Sequence, residues 1–177
     1  MSDLLIVTGP PGAGKSTVAA ALVEGFEPSA LVAGDEFFAT VKRGFIPPWT
    51  KEAHEQNETV VGAAAAAAGR MAKGGYTVVY DGVIGPWFLE AFVIATGLPE
   101  VHYVMLLPPE SVCLQRINSR FGHGFSDPAA ACQMHRQFSG AAALAPRVIT
   151  STEPAEALAA EITELLRLGE LRVLTRS

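Results

Sequence analysis

A parallel β-sheet with helices on both faces is the architecture this sequence predicts, and three observations predict it. Short, continuous apolar runs recur along the chain, stretches of helical period separate them, and several runs end on glycine or aspartate, as at Gly34-Asp35 and Asp81-Gly82. Strands buried on both faces read as unbroken apolar runs, and parallel neighbours need crossover helices between them.

The elements follow in order. Leu4-Leu5-Ile6-Val7 reads as a buried strand, followed by a helix over about Lys15 to Glu24. A second short strand, Ala30 to Ala33, ends at Gly34-Asp35. The polar, proline-bearing stretch from Lys42 to Lys51 leads into a long helix up to about Lys73, which Gly74-Gly75 should stop as a glycine cap. Thr77 to Tyr80 is a third strand, rich in β-branched and aromatic residues. Val101 to Leu107 is a fourth, and Arg147-Val148-Ile149 a fifth. Helices are expected over Trp87 to Ala95, Glu110 to Arg120, Ala129 to Phe138 and Pro154 to Arg167. The last carries Leu158, Ile162, Leu165 and Leu166 as an apolar stripe. The run Ala63 to Ala68 is a helix face that permits close packing.

Composition bounds the function. The chain has 177 residues, 49% of them hydrophobic and 18% charged, which fits one domain over 1–177 and excludes a disordered chain. A net charge of −5 argues against general binding to nucleic acid or anionic membrane, since both select basic surfaces. Cys113 and Cys132 form no metal spacing or disulfide framework and read as buried apolar groups. No apolar run approaches ~20 residues, and no targeting pattern precedes the first strand, so the cytoplasm is the expected location. His123 and His135 lack partners at metal-ligand spacing.

Gly9-Pro10-Pro11-Gly12-Ala13-Gly14-Lys15-Ser16 matches GxxxxGK[ST] in full, directly after a strand and before a helix. In that context backbone N–H groups form a nest for phosphate oxygens, and the helix adds the positive end of its dipole. Lys15 can reach the β- and γ-phosphates, Ser16 can ligate magnesium, and Thr17 supports the helix start. Gly9, Gly12, Ala13, Gly14, Lys15, Ser16 and Thr17 are therefore the candidate nucleotide-binding residues. The loop alone does not distinguish kinases, hydrolases and motors.

Ligands of open α/β sheets bind at the carboxyl ends of the strands, where Asp35 and Asp81 sit. Asp81 ends a Walker B pattern and can hold magnesium with Ser16, or it caps the Asp81-Gly82 turn. Asp35 can take or orient the acceptor hydroxyl's proton, and it can also cap a helix starting at Glu36; Glu36 is a weaker candidate for the same chemistry. Arg116 and Arg120 share one helix face and precede the glycine-punctuated stretch Phe121 to Phe125. They either close over a transferring phosphate or form a solvated face. Arg43, Trp49, Trp87 and the segment Gly82 to Pro86 suggest an amphipathic acceptor pocket, unless the tryptophans are core.

Together these motifs resemble the small-molecule kinases of the nucleoside-monophosphate-kinase fold, a group that includes gluconate kinases, shikimate kinases and chloramphenicol phosphotransferases. The resemblance covers most of the chain. Val101-His102-Tyr103-Val104, Arg116, Arg120, Gly122-His123 and Gln137-Phe138 look most like the lid region of gluconate kinases. It implies a three-layer P-loop NTPase fold with a five-stranded parallel sheet in the order 2-3-1-4-5. It also implies an acceptor region over about 36–60 and a lid over about 119–137. By this likeness Arg116, Arg120 and Arg136 are lid arginines, with Arg120 near the adenine and Thr150 to Pro154 as its other wall. After Gly34-Asp35 the chain reads Glu-Phe-Phe, where a gluconate kinase carries a histidine-bearing stretch.

The expectation is an ATP- and magnesium-dependent phosphotransferase acting on a small-molecule hydroxyl, as a monomer or homodimer without nucleic-acid or membrane partners. Lys15, Asp35, Arg116 and Arg120 would carry catalysis, and Asp35, Arg43, Asp81 and Arg136 would contact substrate. A nucleoside monophosphate kinase, needing Lys42, Arg43 or Lys51 as a basic acceptor site, is the nearest alternative. A regulatory P-loop ATPase without a small acceptor is another.

Overall fold

The computed structural model describes residues 3–119 and 127–175. Its elements are β1 (Leu4–Thr8), α1 (Lys15–Val23), β2 (Ser29–Ala33), α2 (Gly34–Phe38), α3 (His54–Lys73), β3 (Thr77–Asp81), α4 (Pro86–Thr96), β4 (Glu100–Leu106), α5 (Glu110–Ser119), α6 (Pro128–Ala141), β5 (Val148–Ile149), α7 (Ala155–Leu168) and β6 (Arg172–Leu174). The five parallel strands lie in the expected order, β2-β3-β1-β4-β5. The sheet has a sixth strand that the sequence analysis did not assign. β6 runs antiparallel along the start of β4, pairing Glu100 with Leu174 and His102 with Arg172. With three residues and alternating exposure, it lacks the apolar run that marks the other strands.

Strand geometry sorts the core into two layers, because successive side chains point to opposite faces. Leu4, Ile6, Val78, Tyr80, Tyr103 and Met105 pack on one face with α3 and α4. Leu5, Val7, Val79, Val104 and Leu106 pack on the other with α1 and α7. The unbroken apolar runs are thus two interleaved core faces.

The alanine run sits in α3, where Ala64, Ala65 and Ala68 are buried and continue into Gly69 and Ala72. This narrow stripe brings α3 against α4: a Cβ on Gly69 would stand 2.1 Å from the Thr96 carbonyl oxygen. The left-handed residue that turns the chain after α3 is Gly75 (φ +99°), not Gly74, which stays helical.

Most other boundaries shift by a residue or two, as helix ends do. The consequential shift is at α2. This helix begins at Gly34 with Ala33 as its capping residue, so Asp35 lies inside the first turn and makes no capping bond. Among the described residues no helix is long and apolar enough to cross a membrane.

Candidate active site

The carboxyl ends of β1, β2 and β3 meet at one pole of the sheet. Val7 and Ala33 both stand in register with Asp81, so the two neighbouring strands flank it. Gly82 N–H donates to Val7 O at 3.3 Å. Asp35 follows Ala33 by two residues and is exposed, whereas Asp81 is half-buried. Among the described residues neither side chain makes a hydrogen bond, so neither caps a turn or helix.

The phosphate loop closes on itself and is backed by α5. Gly12 and Gly14 hold positive φ angles of 79° and 96°, a region that costs an L side chain dearly, and Gly14 caps α1. Ala13 N–H donates to Pro10 O at 3.2 Å, and the Lys15 ammonium donates to the same oxygen at 3.0 Å. A Cβ on Gly12 would stand 2.3 Å from the Cys113 carbonyl oxygen, so α5 touches the loop directly.

Arg116 is half-buried there. Its Nη1 donates to Ala13 O at 3.2 Å and more weakly to Gly12 O at 3.4 Å. In a trans peptide the C=O and N–H point in opposite directions, so a guanidinium that holds Ala13 O aims Gly14 N–H away from α5. Arg116 thus holds the loop backbone from behind, with its side chain half-buried. Arg120, Gly122 and His123 lie outside the described residues, as does the stretch 120–126 of the expected 119–137 lid, whose later part falls on α6 and its capping residue Asp127.

The remaining candidates spread outward. Ser16 and Thr17 are exposed in the first turn of α1. Arg136 is exposed on α6, 4.0 Å from Glu110, and His135 Nε2 docks the same helix on Pro108 O at 2.8 Å. Arg43 is exposed in the segment between α2 and α3. That segment is tied down by Gln56, whose amide bonds both Ile46 N–H (2.8 Å) and Ile46 O (2.7 Å), and by Asn57, which donates to Pro48 O at 2.7 Å.

The tryptophans are not core: Trp49 is half-buried, and Trp87 is exposed with its ring 5.3 Å from that of Phe138. The rings of Phe88 and His54 lie 6.0 Å apart. The segment 150–154 joins β5 to α7, where Glu153 N–H bonds Ser151 Oγ. Cys113 is buried, which pushes its thiol pKa up, but Cys132 is only partly so. No metal-holding cluster of His, Cys, Asp and Glu occurs among the described residues.

Two residues of this pole escaped the sequence analysis. Thr8, the last residue of β1, is fully buried, accepts from Ile84 N–H at 2.8 Å and donates to Ile84 O at 3.0 Å. Tyr103 also donates to Ile84 O, at 2.8 Å. These bonds fix the loop that follows Asp81. Tyr80, directly before Asp81, has its ring against Gly34 and Gly82. The adjacency of both residues to recognised motifs was the only signal available.

With this geometry in place, comparison with known proteins decides the family. Residues 8–127, about two thirds of the chain, match the profile of the AAA domain family. The chain belongs to that family. No curated protein is detectably similar in sequence. Among solved structures, this AAA domain resembles shikimate kinase from Acinetobacter baumannii, solved with shikimate, at a TM-score of 0.68 and 21% identity over 96% of this chain and 95% of that one. A tunicamycin resistance protein from Deinococcus radiodurans matches at a TM-score of 0.69 and 18% identity, over 100% of both chains. A gluconokinase from Sinorhizobium meliloti 1021 matches at 0.61 and 19%, over 95% of this chain and 97% of that one. At these identities the likeness establishes the P-loop kinase fold. The AAA domain described here shares that fold from end to end.

Proposed function

We propose that this protein is an ATP- and magnesium-dependent phosphotransferase that phosphorylates a hydroxyl of a small molecule. The observation that carries the reading is the convergence at one pole of a phosphate nest and two carboxylates, with Asp81 in register beside the strand that feeds the nest. Lys15 and the loop N–H groups would bind the β- and γ-phosphates. The oxygen donors Ser16 and Asp81 suit a hard cation such as magnesium, which when bound would neutralise charge on the transferring phosphoryl group. Asp35, exposed two residues beyond Ala33, would accept or orient the acceptor hydroxyl's proton. Positioning and electrostatics supply most of the acceleration in such transfers.

The neighbours' names lend the acceptor class its support: shikimate kinase, gluconokinase and tunicamycin resistance protein. A cytoplasmic monomer or homodimer, with Arg43 and Arg136 at the acceptor and Arg120 at the phosphates, completes the reading.

The test is a transfer screen with ATP and magnesium against sugars, nucleosides, nucleotides and aminoglycoside- or phenicol-type compounds. Lys15→Ala should abolish ATP binding or turnover, and a fully active variant would refute the nest. Asp35→Asn should leave ATP affinity near normal while transfer falls by ~100-fold or more. Phosphorylation of nucleotides alone would move the assignment to a nucleoside monophosphate kinase, and turnover without any acceptor to a hydrolase.

A further inference from the structure

Two tyrosines on the α3–α4 face of the sheet are fully or almost fully buried, and they differ in one respect. Tyr103 donates its hydroxyl hydrogen to Ile84 O. The Tyr80 hydroxyl makes no hydrogen bond among the described residues, although the side chain is only 1% exposed. A hydroxyl that no internal bond occupies is available to donate to a ligand that reaches it.

The position of this hydroxyl suggests the use. Tyr80 packs edge-on against Phe92, with ring centroids 4.7 Å apart, and leans toward the carboxyl end of the sheet. Its oxygen reaches the two turns that deliver the carboxylates. A Cβ on Gly34 would stand 2.5 Å from it, and one on Gly82 would stand 2.9 Å away. Both positions must therefore be glycine for the phenol to emerge between Asp35 and Asp81. An ordinary phenol, with a pKa of about 10, is a neutral donor near pH 7.

We infer that Tyr80 is a specificity-determining contact of the acceptor site, donating a hydrogen bond to an uncharged hydroxyl or carbonyl oxygen of the acceptor. The inference rests on the phosphotransferase reading above and extends it to the substrate class. With the exposed Asp35 carboxylate on the turn beside the phenol and outside the proposed magnesium ligands, an anionic oxygen of the acceptor at this spot is disfavoured by repulsion. The acceptor thus carries a second neutral oxygen near the hydroxyl that is phosphorylated, as a polyol, sugar or hydroxy-amide does.

Tyr80→Phe tests this, because it keeps the ring between Gly34, Gly82 and Phe92 and removes only the oxygen. The probe is the panel compound that the wild-type protein phosphorylates with the highest kcat/KM. The variant should show a KM for that compound raised about tenfold, the loss of one well-made hydrogen bond. Its KM for ATP–magnesium should be unchanged, and the thermal midpoint of the ligand-free protein unchanged or higher, since no internal bond is lost.

An unchanged acceptor KM overturns the inference while leaving the phosphotransferase reading intact. So does a lowered midpoint accompanied by a raised KM for ATP, the mark of a structural hydroxyl. If the wild-type protein phosphorylates nothing in the panel, the functional reading fails first, and the inference with it.

Discussion

Thr8 and Arg116 each act on the backbone of the site, and each makes a separable contribution. Thr8 satisfies both polar groups of Ile84, but Tyr103 shares the carbonyl, so only the buried Ile84 N–H depends on Thr8 alone. Thr8→Val keeps the shape and orphans that N–H, an expected loss of about 1–3 kcal/mol of stability readable by urea unfolding. The loop after Asp81 loosens with it, so transfer should fall by more than the drop in folded fraction accounts for. Arg116 serves the phosphate loop from behind, through the Gly12 and Ala13 carbonyls. Arg116→Met retains the stem and loses those bonds. The KM for ATP should rise about tenfold, in line with one or two charge-assisted hydrogen bonds, while the thermal midpoint barely moves. An unchanged KM would show that the nest holds its shape without the guanidinium.

At the scale of elements, the approach of α3 to α4 is set by backbone contact. Gly69 lies directly over the end of α4, and a methyl there would meet the Thr96 carbonyl, which also accepts from Lys73 Nζ at 3.1 Å. Backbone cannot swing aside as a side chain can. Gly69→Ala should therefore cost about 1–3 kcal/mol despite alanine's better helix propensity, measured as a shifted urea midpoint at unchanged slope. Gly62→Ala, in the same helix with open space around its Cβ, should stabilise modestly and serves as the control. The alanine run announced close packing in the sequence, but not which helix it would meet. That partner is fixed by long-range geometry, which a local pattern does not carry. The same limit hid β6: three residues, two of them exposed, become a strand only because the start of β4 offers them an edge. The phosphate loop was legible because its chemistry needs contiguous residues. The roles of Arg116 on the loop carbonyls and Tyr80 between two turns were not, since both depend on residues far apart in the chain.

Over the whole molecule, the parallel sheet separates two poles. Its carboxyl end gathers the candidate active site, while its amino end carries His102, buried at 5% exposure near the β6 edge. The ring is 3.8 Å from Asp3 through Nε2, and its Nδ1 has no partner among the described residues. Burial, joined by the charge of Arg172, outweighs Asp3 and Glu100, which favour protonation, so the imidazole's pKa is lowered. The sign then follows. As pH falls below the ordinary histidine value of about 6.5, the unfolded chain binds a proton that the folded chain resists, so stability drops with pH until the folded pKa is reached. One proton sets the ceiling of that slope at about 1.4 kcal/mol per pH unit. Thermal midpoints measured from pH 7.5 to pH 5 should therefore fall more steeply for the wild-type protein than for His102→Gln, which cannot titrate. Because His102 lies at the opposite pole from Asp35 and Asp81, the substitution should leave the pH profile of transfer unaltered. Parallel midpoint curves for the two proteins would show that the folded protein accommodates the charged ring, through Asp3 and Glu100, as readily as water does.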